Sequence, residues 1–120
     1  MSIDPWTVAA AAAAAFIIIP RLLGARRVPT NIVKERLQAG AKIVDVRTVD
    51  EFRTGAYPGA VNIPLQLLSS RLNEIPRDRP VVLYCASGMR SASAAKLLKQ
   101  AGYGEVVNAG GLRDMPVSGG

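Results

Sequence analysis

The stretch that decides the fold is Val81-Val82-Leu83-Tyr84-Cys85-Ala86-Ser87-Gly88-Met89-Arg90-Ser91, in which an apolar run leads into a loop of small residues. Residues 81–84 are consecutive, apolar and partly β-branched, which is typical of a buried strand. The loop 85–90 follows the strand, and residues 91–101 predict a helix that ends at Gly102. A strand followed by a loop and a helix is part of a βαβ unit, so this stretch favours an α/β fold.

The same alternation of strands and helices extends along the rest of the chain. The pattern predicts further strands at 41–46, 61–63 and 106–107, and further helices at 30–39, 49–53 and 65–75. Thr30 and Thr48 are predicted helix caps, and Gly110-Gly111 is expected to break the chain after the last strand. Such an alternation predicts a parallel sheet covered on both faces, with the active site beyond the carboxyl ends of the strands.

The length and composition fit a small domain with few groups that bind metals. The 120 residues suit one domain, and the single cysteine excludes an intrachain disulfide and a cysteine-rich metal site. The chain has no histidine, which removes the usual general base and the usual zinc ligand. The net charge of +6 comes without a basic stripe interleaved with aromatic residues, so we expect no nucleic-acid partner.

Residues 1–27 differ in composition from the rest, and we interpret them as a membrane anchor with a basic flank. From Pro5 to Pro20 the chain is largely apolar and carries no charge. A full span needs about 20 apolar residues, so the run is long enough only when Ile3 is counted and Arg21 snorkels to the interface. Membrane contact through residues 5–23 leaves residues 28–120 as the folded domain.

The charges that flank this segment predict its orientation. Arg21, Arg26 and Arg27 follow the apolar run, so the positive-inside rule places the folded domain in the cytoplasm. Two alternatives stay open. A cleaved signal peptide would make the domain periplasmic or secreted, although Asp4 stands where such a peptide carries basic residues. A buried helix of the domain is the other alternative, although the run has no polar face.

The loop after the strand contains residues suited to nucleophilic chemistry. The reactive form of a cysteine is the thiolate, and the N–H groups of a loop at a helix N-terminus would stabilise this form at Cys85. Gly88 lets the backbone turn, and Arg90 offers a forked cation to an anionic substrate. Ser87 and Ser91 are candidate donors to a sulfur or an oxyanion. We therefore predict that Cys85 is the nucleophile. The predicted substrate-binding residues are Ala86, Ser87, Gly88, Met89, Arg90 and Ser91.

Plainer roles for these residues stay open, and two supporting positions lie outside the loop. Cys85 is also compatible with a small buried apolar residue, and Ser91 with a helix cap. Asp45 lies near the end of its strand, where its carboxylate is expected to hold N–H groups of the following loop. Arg47 and Glu51 are four residues apart at a helix start, and we predict a structural ion pair between them.

Several short motifs in a fixed order connect the chain with a known family. They are Asp45-Val46-Arg47, Glu51-Phe52, Pro58-Gly59-Ala60-Val61-Asn62-Ile63-Pro64, Tyr84-Cys85-Ala86-Ser87-Gly88-Met89-Arg90-Ser91-Ala92, Ala101-Gly102-Tyr103 and Gly110-Gly111. In this order and spacing they resemble the rhodanese-like family, over residues 29–111. The resemblance implies a parallel sheet of about five strands flanked by helices, preceded here by one hydrophobic N-terminal helix.

The resemblance also implies a reaction. Cys85 would take a sulfane sulfur from a donor such as thiosulfate and carry it as a persulfide. It would then pass the sulfur to a thiol or to cyanide, while the loop from Cys85 to Arg90 supplies backbone donors. No metal or organic cofactor is implied.

Loop length separates branches of this family. Cys85 to Arg90 reads Cys-x4-Arg, which in the family goes with sulfur substrates, whereas the phosphatases of the same fold carry one more residue. The chain departs from the family at two points. It has Gly55-Ala56 where the family often has Gly-His, and Leu112 to Pro116 contain no aromatic residue after the double glycine.

We therefore expect a sulfurtransferase whose partners are a small sulfur-containing anion and a thiol or protein sulfur acceptor. A non-catalytic module that docks an anion or a protein is a second hypothesis, but such a module has no need of Cys85, Gly88 and Arg90 together. A phosphatase or arsenate reductase is a third hypothesis, which the short loop disfavours.

Overall fold

Four parallel strands form the central sheet of the structure, a computed structural model that describes residues 26–118. In chain order the strands are β1 (Lys42–Asp45), β2 (Val61–Asn62), β3 (Val81–Cys85) and β4 (Val106–Gly111). They lie side by side in the order β2-β1-β3-β4. Every pairing in this sheet is parallel, which confirms the predicted α/β class.

Within residues 26–118, three α-helices and three short 3₁₀ segments connect or flank the strands. The helices are α1 (Thr30–Gln38), α2 (Val49–Arg53) and α3 (Met89–Gln100). The 3₁₀ segments are Leu65–Ser70, Leu72–Glu74 and Leu112–Asp114. The regular helix predicted at 65–75 is therefore wrong. Arg71 interrupts it with a φ of −123°, and the Tyr103 hydroxyl donates to the Ile75 carbonyl at 2.9 Å, which anchors the end of this segment to the core.

The predicted helix caps are confirmed at one position and wrong at two others. Thr48 caps α2 through a reciprocal pair of hydrogen bonds with Glu51. Thr30 is instead the first residue of α1, and Pro29 occupies the N-cap position without a side-chain hydrogen bond. Helix α3 begins at Met89, two residues before the predicted start, so the alternative role of Ser91 as a cap is also wrong.

The described part of the sheet has four strands instead of the expected five. Residues 27–28 do lie along the free edge of β4, through a bridge between Arg27 and Asn108 and a 2.9 Å hydrogen bond from the Val28 N–H to the Asn108 carbonyl. Pro29 then ends the pairing, because it has no N–H and α1 begins directly after it. The edge contact is therefore too short to form a strand.

Strand β4 is longer than predicted and includes Gly110 and Gly111, which were expected to break the chain. Its pairing with β3 continues past an irregularity after Leu83, so that Cys85 lies opposite Gly111. The absence of side chains made these two glycines look like a loop in the sequence. Their backbone is held in place by the neighbouring strand, which the sequence pattern does not show.

Two apolar layers cover the sheet and fix the position of β3. One layer contains Leu68, Leu83, Ala94 and Leu98 and lies under α3, and the other lies under α1 around Val33. All five residues of β3 are buried. The strand that ends at Cys85 is therefore packed on both faces of the sheet.

The predicted membrane segment lies almost entirely in residues 1–25, outside the described residues. Within residues 26–118 no helix has the length and the apolar character needed to cross a bilayer.

Candidate active site

Cys85 is the last residue of β3, and its side chain is fully buried. Its Sγ accepts a hydrogen bond of 3.0 Å from the backbone N–H of Gly88. The Ser91 hydroxyl oxygen lies 3.3 Å from the same sulfur, and Ser91 is itself fully buried. The strand thus delivers the thiol to hydrogen-bonding groups at the start of α3, and these groups, the Gly88 N–H and the Ser91 hydroxyl, define the thiol pocket.

The surroundings of the sulfur favour its ionised form. Burial has the largest single effect on the pKa of Cys85 and raises it. The Ser91 hydroxyl and the N–H groups of Ser91, Gly88 and Ser87 oppose that effect and together outweigh it. The pKa of Cys85 is therefore lowered from the usual value of a thiol. Since the thiolate is the nucleophile, the pocket makes Cys85 more reactive near neutral pH.

The predicted substrate-binding residues take different positions around this pocket. Gly88 adopts a φ of +98°, a conformation that suits glycine, and turns the loop so that its N–H points at the sulfur. Ala86, Ser87 and Met89 are exposed to solvent, and Met89 is 78% exposed. Ser91 reaches the sulfur with its side chain, whereas Ser87 acts on it through its backbone N–H.

Arg90 pairs with Glu51, which was predicted from the sequence to pair with Arg47. Its guanidinium makes two hydrogen bonds to the Glu51 carboxylate, at 2.7 and 2.9 Å. The predicted ion pair between Arg47 and Glu51 is therefore wrong. Glu51 pairs with Arg90 because the fold brings the start of α2 beside the loop, although the two residues are 39 positions apart in the sequence. Arg90 links the loop to α2 and does not project as an unpaired cation.

Asp45 and Arg47 form a buried pair that supports the neighbouring strand end. The Arg47 guanidinium contacts the Asp45 carboxylate with its closest atoms 2.7 Å apart, and the Arg47 N–H also donates to that carboxylate at 2.9 Å. This confirms that the Asp45 carboxylate holds a loop N–H group. Arg47 further donates to the Gly55 carbonyl at 2.7 Å. Neither residue is hydrogen-bonded to Cys85, so the geometry gives them a supporting role.

Strand β4 forms the back wall of the loop, and its glycines make the close packing possible. A methyl group on Gly111 would overlap the carbonyl oxygen of Ala86 far inside van der Waals contact. A methyl group on Gly88 would lie 3.2 Å from the Cα of Gly110. The loop therefore lies directly against the backbone of β4, and this contact holds the N–H of Gly88 in position.

Asn108 on β4 is a site residue that the sequence reasoning missed. Its side chain is only 2% exposed. Its Oδ1 lies 2.7 Å from the Ser91 hydroxyl and 2.9 Å from the N–H of Gly110, and its Nδ2 donates to the Gly88 carbonyl at 3.2 Å. The available signal was a polar residue directly after the predicted strand 106–107 and two positions before the double glycine.

The arrangement is suited to a reaction in which the sulfur acts as a nucleophile without a histidine. Dipoles of the loop and the Ser91 hydroxyl replace an imidazole in stabilising the thiolate. Among residues 26–118, no three His, Cys, Asp or Glu side chains lie close enough together to hold a metal ion. The hydrogen-bonded thiol of Cys85 is suited to transfer of a group to and from its sulfur.

Comparison with known proteins agrees with this geometry. A sequence profile of the family described as Rhodanese-like domain matches residues 30–114. A sulfurtransferase of Allochromatium vinosum is 48% identical over 66 residues, which cover 55% of this chain and 62% of that relative. The chain thus spans less than two thirds of the length of this relative.

Two further proteins extend the comparison. The thiosulfate sulfurtransferase PspE of Escherichia coli is 36% identical over 74 residues, covering 60% of this chain and 71% of the relative. The crystal structure of a rhodanese-like domain protein from Staphylococcus aureus superposes with a TM-score of 0.66 at 31% identity. That match covers 78% of this chain and 94% of the other.

Substitution of Gly111 tests whether the back wall positions the loop. We expect Gly111→Ala to push Ala86 away, weaken the bond from Gly88 to Sγ and raise the pKa of Cys85, at a cost of about 1–3 kcal/mol in stability. The pH dependence of Cys85 alkylation and urea unfolding measure the two effects. Gly104→Ala is the matched control, because a methyl group there meets nothing within 4 Å. Equal behaviour of the two variants would contradict this role for Gly111.

The bond between Arg90 and Glu51 predicts a pH dependence of stability. Hydrogen bonds from Arg90, and then from the Thr48 N–H, lower the pKa of Glu51 to about 2. A carboxyl group with a lowered folded-state pKa stabilises the fold above its unfolded pKa of about 4.3, and this contribution is lost as the pH falls towards 2. We expect Glu51→Gln to be less stable than the wild type at neutral pH by up to about 1 kcal/mol, with the difference vanishing in acid.

Urea unfolding of both proteins between about pH 6 and pH 2 measures this difference. Asp50→Asn is the matched control, because the Asp50 side chain is 95% exposed and lies 3.9 Å from Arg53. A deficit in Glu51→Gln that stayed constant down to the lowest pH would show that the ion pair does not cause it.

Proposed function

The chain belongs to the rhodanese-like domain family, and from this we propose that it is a sulfurtransferase that carries sulfur as a persulfide on Cys85. The observation that carries the proposal is the hydrogen bonding of the sulfur. Cys85 Sγ ends a buried strand, accepts the Gly88 N–H at 3.0 Å, and lies 3.3 Å from the Ser91 hydroxyl. Relatives whose names describe sulfur transfer support the same reaction.

The reaction has two displacements at sulfur. In the first, the Cys85 thiolate attacks the sulfane sulfur of the donor, and the bond between that sulfur and the rest of the donor breaks. The donor leaves with the electron pair, as sulfite from thiosulfate or as a thiolate from a persulfide. In the second, an acceptor thiolate or cyanide attacks the outer sulfur and the Cys85 thiolate is regenerated. No external oxidant or reductant is needed.

The loop supplies the stabilisation for both steps. The negative charge begins on Cys85 Sγ and moves to the outer sulfur of the persulfide. The N–H groups of Ser87, Gly88 and Ser91 already lower the pKa of the thiol, and donors arranged in this way also stabilise charge one atom further out. The turn at Gly88 keeps these donors converging on the pocket.

The pairing of Arg90 with Glu51 limits which protein groups can bind an anionic sulfur donor. Both carboxylate oxygens of Glu51 accept hydrogen bonds from Arg90, so the cation of the loop is neutralised within the protein. An anionic donor such as thiosulfate therefore meets mainly backbone N–H groups. Binding by backbone N–H groups suits small sulfur donors whose charge is compact. A persulfide donor is also compatible with this arrangement.

The exposed apolar residues support a thiol acceptor that is carried on a protein. Val49, Leu67 and Met89 are 46%, 46% and 78% exposed. They follow the carboxyl ends of β1, β2 and β3, which is the edge of the sheet where Cys85 lies. Exposed apolar side chains on the segments that follow this edge give a partner protein a surface against which to pack.

Replacement of Cys85 tests the proposed reaction. Incubation of the wild-type protein with thiosulfate should add one sulfur atom, seen by intact-protein mass spectrometry and removed by a reducing thiol. Cys85→Ser keeps the shape of the side chain but is a far poorer nucleophile at sulfur, so we expect no added sulfur and no turnover, with unfolding unchanged to about 1 kcal/mol.

The other outcomes identify the alternatives. Absence of added sulfur on a Cys85 that iodoacetamide still alkylates would reject sulfur transfer from thiosulfate and favour a docking module. Steady hydrolysis of an aryl phosphate that is lost in Cys85→Ser would instead indicate a phosphatase.

We also propose that residues 5–23 attach the protein to a membrane, with the domain on the cytoplasmic side. The support is the uncharged run between Pro5 and Pro20 and the three arginines that follow it. The full chain should stay with membranes in high salt and enter solution with detergent. Ile18→Lys, which places a charge within the run at a cost of about 2.5–3.5 kcal/mol, should weaken this attachment.

The mass of the isolated protein completes the test. A chain that has lost its N-terminal residues would indicate a cleaved signal peptide and a periplasmic or secreted domain. An intact chain recovered from the soluble fraction without detergent would overturn the proposed anchor.

A further inference from the structure

Strand β4 places an amide side chain directly behind the hydroxyl group that contacts Cys85. We propose that Asn108 is a positioning residue that controls the direction of the Ser91 proton and thereby makes Ser91 a two-position switch beside the nucleophile. In one position the hydroxyl donates to Asn108, and in the other it donates to the Cys85 thiolate. The inference deepens the proposed sulfur transfer and rests on it for its biological meaning.

The orientation of the Asn108 amide follows from its partners. The Gly110 N–H can only donate a hydrogen bond, and it lies 2.9 Å from Oδ1. The Gly88 carbonyl can only accept one, and it lies 3.2 Å from Nδ2. Exchanging the two ends of the amide would place donor against donor and acceptor against acceptor. Oδ1 therefore faces Ser91 as an acceptor, and the turn at Gly88 is tied to the same side chain.

Ser91 has one proton and more than one acceptor within reach. The Asn108 Oδ1 is 2.7 Å from its hydroxyl oxygen, whereas Cys85 Sγ is 3.3 Å away and the Gly110 carbonyl oxygen is 3.4 Å away. Oxygen is also a better acceptor than a neutral thiol sulfur. While Cys85 is protonated, the Ser91 proton points to Asn108, and the thiol donates its own proton to the lone pair of Ser91.

Ionisation of Cys85 reverses this arrangement. The thiol proton leaves to solvent, and the sulfur becomes an anion that accepts a stronger, charge-assisted hydrogen bond. The Ser91 proton turns to the sulfur and gives up its bond to Asn108, while Oδ1 keeps the Gly110 N–H. When the outer sulfur of a persulfide takes the charge, Sγ becomes a weak acceptor again and the Ser91 proton returns to Asn108.

The charged groups near Ser91 are paired with one another. The acceptor to which the Ser91 hydroxyl donates is therefore set mainly by the local hydrogen bonds. Arg90 is bound to Glu51 on the side of α2, and Arg47 to Asp45 at the end of β1. Beyond Gly110, Asp114 contacts Arg27 and accepts the Gly111 N–H. The main influences that lower the pKa of Cys85 are hydrogen bonds from the loop and from Ser91, and Arg90 also interacts electrostatically with the sulfur.

The consequence is that Asn108 competes with Cys85 for one proton. When the Asn108 amide accepts the Ser91 proton, it stabilises protonated Cys85. A larger fraction of Cys85 is then in the thiol form in the resting protein. Removal of this acceptor frees Ser91 to donate to the thiolate. A merely structural Asn108 would behave in the opposite way, because a loosened loop loses its N–H bond to the sulfur.

The test is the pKa of Cys85 in two variants of Asn108, measured from the pH dependence of iodoacetamide alkylation of the full chain. Asn108→Leu removes the acceptor and should lower this pKa by about 0.5–1 unit, the equivalent of one hydrogen bond. Asn108→Asp keeps the acceptor and adds negative charge, so it should raise the pKa. Urea unfolding shows whether each variant is folded.

The same two variants in a Ser91→Ala background isolate the switch. The shift from Asn108→Leu should vanish there, and the shift from Asn108→Asp should shrink to the part due to its charge. A raised pKa in both Asn108 variants, or a shift from Asn108→Leu that persists without Ser91, would overturn the proposal.

Alkylation requires no sulfur donor, so this result is independent of the proposed function. Opposite shifts together with absent persulfide formation would reject sulfur transfer and retain the switch. Persulfide formation together with pKa shifts in the same direction would support sulfur transfer and reject the switch.

Discussion

The contact between the Ala86 carbonyl and the backbone of Gly111 is the constraint on which the active site depends. The pairing of β3 with β4 sets Cys85 opposite Gly111, and the loop then folds flat against the neighbouring strand. Only a residue without a side chain leaves room for it. Because the loop lies there, the N–H of Gly88 points inward to the sulfur and does not face solvent. The chemistry of the loop therefore depends on a strand that contributes no reactive group.

The second feature of the site is that its formal charges are neutralised in pairs. Glu51 and Arg90 join α2 to the loop after β3, whereas Asp45 and Arg47 pair within one segment at the end of β1. These pairs hold the loops in place, and the pKa of Cys85 is lowered mainly by hydrogen bonds. Burial raises the pKa of Cys85, and converging hydrogen bonds more than offset it. A chain without histidine can stabilise a thiolate in this way because several oriented N–H groups act on one atom.

Much of the fold and the central residue of the site were predictable from local patterns. The apolar run that ends at Cys85, the capping of α2 by Thr48 and the turn at Gly88 are each encoded within a few neighbouring residues. The regular helix expected at 65–75 was wrong because the apolar spacing that predicted it did not show the break at Arg71. The fifth strand was implied by the family resemblance alone, and Pro29 ends the short contact of residues 27–28 with β4.

The sequence by itself determined the fold class, the place of Cys85 at the end of a buried strand and the hydrogen-bond donors that lie within six positions of it. The tertiary structure alone decided which distant residues complete the site. Glu51 meets Arg90, and Asn108 meets Ser91, because strands that are far apart in the chain end at the same edge of the sheet. Pairings of this kind follow from register and crossover. A linear pattern does not contain that information, because periodicity reports only which face of an element is apolar.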